Sequence, residues 1–371
     1  MSYIQPLFAL ALVLALVPRT SIRRQSPRPR SLNSSLRPLN LSPVTLLPIE
    51  IIQHIASFLS PCAAASFAST CLCIRYATGT QYLRSLRASR TEMFKLLELL
   101  VADAPNDPAT DLPSRLLCVH CARIVPLYVG CGISATPACR ETWDISRRYI
   151  ESSFLPPLFF TAMAMHRHGR PYNTLLADSH FTPPTSTSYH RSNGVTSQYN
   201  ARYHIATTGS LLLRRQIICI LPHREGRTYR LHSIFCRHVG GQSNRISDAV
   251  ALVQTEARSG IRRSLSKFYQ CIDCHTVVRL GARKFRGRGI GLFVTWWGDL
   301  GNGRAGDEKW ANIARPTENI HGGGRVKYRC MDIINAFEGG NTDYVDFDGL
   351  SSRADRKELL RLSPYRAGLR K

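Results

Sequence analysis

The chain has 371 residues, 44% apolar and 20% charged, which is ordinary globular usage and excludes a chain disordered throughout. Lys and Arg number 49 against 25 Asp and Glu, a net charge of +24, and 42 of those cations are Arg; such a surplus points to nucleic acid, an anionic membrane or an acidic partner only where it clusters. No apolar run reaches the ~18 residues of a membrane span, which excludes a polytopic membrane protein, and the length suits two or three packed units.

Leu7–Val17 (LFALALVLALV) is an apolar run of eleven residues, a length that fits a signal-peptide core or a short anchor better than a span. No Lys or Arg precedes it, and Pro18 and Arg19 follow it without a small-residue cleavage pattern, so a plain leader is the competing reading. Residues 19–38 hold six Arg, no acid and several Pro and Ser, a composition that buries no core. Residues 1–40 therefore read as an apolar leader and a disordered basic linker.

From Leu46 the pattern turns helical. In LLPIEIIQHIASFL, Pro48 suits a first turn, and Glu50 complements the helix dipole. Ile51, Ile52, Ile55, Phe58 and Leu59 then recur at three- and four-residue spacing. Ser60-Pro61 restarts a second helix, with Ala64, Phe67, Ala68 and Cys71 on its apolar stripe, and a third segment is expected over Ile74–Arg87. Three helices in so few residues expose more apolar surface than they cover, which predicts a partner. A further helix is expected over Thr91–Val101, with Met93, Leu96, Leu97 and Leu100 on one side. A Cys-x-x-Cys at Cys118 and Cys121 follows, with Cys131 and Cys139 beyond it, then a helix over Phe159–His168 and a polar loop over 173–200.

After Ala201 the pattern becomes extended. RYHIATTGSLLLRRQIICILP predicts two strands about a Thr-Gly turn, and TYRLHSIFCRHV a strand ending in Cys236-x-His238. A helix is expected over Ile246–Arg258. KFYQCIDCHTVVRL reads as strand, Cys271-x-x-Cys274, strand; GIGLFVTWWGDLG as a strand breaking into a glycine-rich turn; and Met331–Phe337 as a helix.

The Cys-x-x-Cys motifs carry the clearest chemistry. Two cysteines at that spacing on a tight turn present two thiolates to one ion, and tetrahedral zinc needs two such half-sites. Cys271 and Cys274 form one half. The other is Cys118 and Cys121, or alternatively Cys236 and His238, and unmetallated thiols remain the competing reading. A redox dithiol would want a thioredoxin-like βαβ setting, which is absent. No HExxH, GxSxG or P-loop occurs, and the acids Asp299, Asp307 and Glu308 fall in a polar loop, while Asp343, Asp346 and Asp348 lack the placement of a calcium loop. The expectation is a non-catalytic protein. Arg279–Arg288 (RLGARKFRGR) is a basic loop with five cations that would suit a phosphate backbone or be a solvated hairpin tip. Trp296, Trp297 and Trp310 read as core or as stacking platforms.

The stretch LPIEIIQHIASFLSPCAAASFASTCLCIRY resembles an F-box, the helical module of ubiquitin-ligase receptor subunits. Leu47, Pro48, Ile51, Ile52, Ile55, Leu59, Phe67 and Cys71 fall at the positions that the resemblance implies dock on the Skp adaptor and, through it, on cullin. Ala63–Ala65 depart from the larger apolar residue usual in the second helix. The remainder is similar to a set of fungal F-box proteins carrying a Cys-x-x-Cys after the F-box, a mid-domain Cys-x-His, and a Cys-x-x-Cys strand leading to a Trp…DLG…Trp segment; here these are CVHC, CRH, CIDC and WWGDLGNGRAGDEKW. The His often found soon after the first Cys-x-x-Cys is absent.

The expected fold is α+β: residues 1–40 leader and linker, residues 41–88 a three-helix F-box, and residues 89–371 a mixed helical and small antiparallel-sheet region with Cys motifs. The expected function is a receptor that holds the Skp adaptor at one end and a protein target at the other, in cytoplasm or nucleus, or at a membrane or in the secretory route if residues 7–17 direct it there. The alternative is a zinc-stabilised nucleic-acid-binding protein that uses residues 279–288.

Overall fold

Local punctuation sets the first helices. In the computed structural model, which describes residues 43–106, 112–126, 137–150, 154–172, 175–176, 186–190, 195–221, 236, 238, 251, 255, 267–285, 289–314, 326–339 and 353–362, α1 (Ile49–Phe58) begins directly after Pro48. The Ser60 side chain accepts from the Ala63 N–H at 3.3 Å and opens α2 (Pro61–Ala68). The segment expected over Ile74–Arg87 is instead two helices, α3 (Leu72–Thr78) and α4 (Gln81–Ala88). Gly79 ends α3 with φ 67°, a positive value that halts the helix and that side-chain-bearing residues resist.

Ser89 caps α5 (Arg90–Ala102), whose Phe94, Leu96, Leu97 and Val101 are buried. Leu96 packs with Leu83, Leu86, Cys62 and Ala65, and the Glu92 carboxylate accepts from the Cys62 N–H at 3.1 Å. The expected division at 88/89 thus runs through a shared core. The chain separates between Gly132 and Ile133 into two compact units, the first closing with an antiparallel hairpin of β1 (Arg115–Cys118) and β2 (Arg123–Pro126).

The second unit contains α6 (Pro137–Tyr149), α7 (Pro156–Arg167) and an antiparallel sheet. Its strands are β3 (Ser186–His190), β4 (Val195–Ile205), β5 (Leu211–Leu221), β6 (Lys267–Gln270), β7 (Thr276–Phe285) and β8 (Gly289–Asp299), in the order β3-β4-β5-β8-β7-β6. β8 lies between β5 and β7 and is buried from Ile290 to Asp299, which is why it reads as one apolar run rather than an alternation.

After α8 (Glu308–Ala314) come α9 (Cys330–Glu338) and α10 (Arg353–Leu362). In α9, Ile333 and Ile334 pack on Val277 and Trp297, and in α10 Leu359 packs on Ile218, Ile220 and Phe293. Alternate residues point the other way. There Arg215 donates to the Ile150 carbonyl at 2.7 Å and lies over the Trp296 ring, while Phe154, Phe159, Phe160 and Trp310 form a ring cluster. All three tryptophans are buried core, not stacking platforms.

The polar loop expected over 173–200 contains β3 and the start of β4. Thr and Tyr are good strand residues, but β3 is an edge strand and carries no apolar alternation to reveal it. Most of the basic loop is strand as well: β7 extends to Phe285 and takes in Arg279 and Arg283, while 286–288 lie outside the described residues. So do the leader and linker, Cys131, the acidic stretch 343–348, and nearly all of the expected strand over 228–239 and helix over 246–258. No helix among the described residues is long and apolar enough to cross a membrane.

Candidate metal centre and exposed apolar face

Between β6 and β7 the chain curls through Cys271–His275. The Cys271 N–H donates to the Thr276 carbonyl at 3.0 Å, and the Thr276 N–H to the Cys274 carbonyl at 2.8 Å, closing a tight knuckle. Within it the Asp273 N–H points at Cys271 Sγ, 3.4 Å away. The second Cys-x-His repeats the device, since the His238 N–H bonds to the Cys236 sulfur. Each half-site thus turns a backbone dipole on a sulfur and favours its thiolate form.

Cys236, His238, Cys271 and Cys274 converge, with one ligand atom from each lying within 4.8 Å of all the others. All four residues are buried. The Cys271 thiol is held well below the ordinary range, first by hydrogen bonds from Cys236 and Cys274. Cys236 is pushed up because its proton is engaged with Cys271, and Cys274 is pushed up by burial. His238 Nδ1 is buried and has no hydrogen-bond partner among the described residues, a nitrogen that suits a cation. Three sulfurs and an imidazole make a complete tetrahedral set, and the cluster can hold a metal ion.

The pairing placed first from sequence, Cys118 and Cys121 with Cys271 and Cys274, is not the set assembled here. The group that converges with Cys271 and Cys274 is the alternative half-site, Cys236 and His238, and these four could hold one ion without a second Cys-x-x-Cys. Cys118 ends β1 and Cys121 lies in the hairpin turn of the first unit, their sulfurs within 4.8 Å of each other. Arg90 fixes that turn by donating to the Val119 and His120 carbonyls. Chain distance removed the spacing that would have ranked the two pairings.

Tyr328 is the residue that sequence reasoning missed. Its hydroxyl faces three knuckle carbonyls, those of Thr276 at 2.7 Å, Cys274 at 3.1 Å and Cys271 at 3.3 Å, and its ring stacks on His275 with centroids 5.0 Å apart. The Val326 N–H donates to the Ile272 carbonyl at 2.9 Å, and Gln270 Nε2 to the Tyr328 carbonyl at 2.7 Å. Burial pushes the Tyr328 phenol up. No motif spacing links position 328 to the knuckle, so pattern alone gave no signal.

The acids read as a polar loop are ordered. Asp299 is buried and pairs with Lys309 at 2.5 Å, while its other oxygen accepts from the Gly301 N–H at 2.9 Å. Asp307 accepts from the N–H groups of Asn302, Gly303 and Lys309. It lies so close that a Cβ at Gly301, where φ is 89°, would collide with its carboxylate. These acids hold the DLGNGRAGDEK turn. Of the basic segment, Arg279 lies over the Phe268 ring and Arg283 over the Phe285 ring.

In the first unit Ile52 is 1% exposed and packs with Ile74 and Ala77 against half-buried Phe67 and Cys71. Cys71 Sγ also caps α3 by accepting from the Ile74 N–H. Ile52 therefore belongs to the unit's own core. Outside that core lie Leu47 at 38%, Ile51 at 45% and Ile55 at 38% exposure, with Pro48 exposed and Leu59 half-buried. Leu46, Ile49, Phe58, Leu72 and Tyr76 extend the apolar exposure. These exposed apolar side chains lie in and just before α1 and in α3.

No protein-family model, no curated protein and no solved structure matches the chain.

Proposed function

We propose that this chain is a non-catalytic substrate receptor of a Skp–cullin–F-box ubiquitin ligase, in which residues 41–88 hold the Skp adaptor and the second unit presents a protein target. The observation that carries the reading is the apolar exposure just before and in α1 and in α3, where Leu47, Ile51, Ile55, Phe58 and Tyr76 lie outside the core that Ile52, Ile74 and Ala77 form. A helix that leaves such a stripe in water is stabilised by a groove that covers it. Ligase action then needs only proximity: a tethered target meets activated ubiquitin at high local concentration, and the receptor supplies no acid, base or nucleophile.

The ion of the Cys236, His238, Cys271 and Cys274 centre is, in this reading, zinc with a structural role. Thiolate and imidazole ligands suit it, and four protein ligands leave no open position for a substrate. The centre ties a chain segment far from β6 and β7 to the turn between them.

The test is direct binding of the purified full-length chain to a purified Skp-type adaptor by calorimetry. Affinity of about 1 μM or tighter is expected, and no binding at about 100 μM overturns the receptor reading.

A further inference from the structure

We propose that Tyr328 is a positioning residue for the metal centre, and that through it the binding of the ion is coupled to the docking of α9 on the sheet; this rests on the cluster of Cys236, His238, Cys271 and Cys274 being a metal site. The knuckle is curled so that the sulfurs of Cys271 and Cys274 lie within 4.8 Å of each other. The same curl brings the carbonyls of Cys271, Cys274 and Thr276 to a single hydroxyl, that of Tyr328. A phenol has one proton, so the hydroxyl donates to one of these carbonyls at a time, and all three come within its reach because the turn is curled in the shape that brings the two sulfurs together. Tyr328 reads the shape that the ion requires.

The contact extends into the helix. Two backbone-linked bonds, Val326 N–H to the Ile272 carbonyl and Gln270 Nε2 to the Tyr328 carbonyl, flank the hydroxyl, and the ring stacks on His275 beside Cys274. α9 starts at Cys330, and its Ile333 and Ile334 then pack on Val277 and Trp297, with Tyr328 itself against the same cluster. The knuckle therefore sets where the start of α9 sits. If the ion stabilises the curled turn, it stabilises the docked helix, and by linkage the docked helix raises affinity for the ion. Partners of this kind, one bond removed from the ligands, are worth 10- to 100-fold in metal affinity.

The experiment uses the full-length chain with Zn²⁺ and Co²⁺ as probes. Competition with a chromophoric chelator measures Zn²⁺ affinity, and the Co²⁺ ligand-field and thiolate charge-transfer bands report the tetrahedral geometry. Tyr328→Phe keeps the stacked ring and removes only the hydroxyl; it is expected to weaken Zn²⁺ binding about 10- to 100-fold and to perturb the Co²⁺ spectrum. Affinity within about twofold of the unsubstituted chain, with an unchanged spectrum, overturns the proposal. A second measurement needs no variant. Chelation of the unsubstituted protein is expected to accelerate amide exchange in 331–338 while the β4–β5 hairpin stays protected, and exchange in 331–338 that ignores chelation refutes the coupling. If the unsubstituted chain binds neither ion, the centre itself fails and this inference falls with it.

Discussion

Arg214 Nη1 sits 3.0 and 2.9 Å from the two carboxylate oxygens of Glu338, and the two side chains are only 11% and 9% exposed. Trp297 Nε1 donates to the same carboxylate at 2.9 Å. One anion at the end of α9 thus satisfies a strand cation and the indole of a core tryptophan. Removing it takes from a guanidinium and an indole N–H in the interior the acceptor that they share. Glu338→Ala is expected to cost about 3 kcal/mol of the second unit's stability, as for other buried pairs broken on one side. Glu338→Gln retains an oxygen for one donor and should cost less. Guanidinium unfolding followed by tryptophan fluorescence measures both, and an unmoved midpoint for Glu338→Ala would mean that the pair does not form in solution.

The ligand set yields a stoichiometric test. Cys274→Ser should lower the zinc content of purified protein by one equivalent and reduce the thermal midpoint of the second unit. A structural site contributes its binding free energy to folding. Cys219→Ser, at a buried cysteine outside the cluster, should leave the content unchanged. Chelation of the unsubstituted protein should reproduce the fall in midpoint seen in Cys274→Ser. Equal zinc in Cys274→Ser and the parent chain, read by metal analysis, would exclude Cys274 as a ligand.

What the residues disclosed on their own was whatever local spacing encodes. The β4–β5 hairpin, the knuckle between β6 and β7, the apolar run of β8 and the helix at 330–338 are all visible because turn residues and periodicity act over a few positions. The break at Gly79 was hidden by a helical pattern that continues on both sides of it. Strand β3 was hidden because an edge strand made of Ser, Thr, Tyr and His shows no apolar face. Both half-sites of the cluster were legible, Cys271 with Cys274 and, as the alternative to Cys118 with Cys121, Cys236 with His238; which of those two pairs joins Cys271 and Cys274 was not, since the halves meet only through the tertiary fold. For the same reason Ile52 and Ile55 look equivalent on a helical wheel, yet Ile52 is core and Ile55 is surface.

That difference between neighbours on α1 separates docking from stability. Leu47→Asp with Ile55→Asp places charges where water already reaches, so the first unit should keep its midpoint to within about 1 kcal/mol. Binding to a Skp-type adaptor should fall by at least about 100-fold, because a desolvated charge would sit in the groove. Ile52→Ala should do the reverse: about 2–4 kcal/mol of stability lost by cavity formation, with docking by the folded fraction retained. Undiminished adaptor binding by the double variant, measured calorimetrically on folded protein, would refute the docking assignment.

Burial pushes the Cys219 thiol up to about 12. The unfolded chain returns it to the ordinary value of about 9. Below about pH 9 the thiol is protonated in both states and stability does not respond to it. Between about 9 and 12 the unfolded chain releases the proton and the folded chain retains it, so stability falls as pH rises, by about 1.4 kcal/mol per pH unit. Cys219→Ala removes the group, and the difference between its pH profile and the parent's isolates this contribution from other alkaline titrations. The two curves should run parallel up to about pH 9 and converge above it as the parent loses stability faster; parallel curves through pH 11, measured by urea unfolding, would show that Cys219 ionises in the folded state as it does in water.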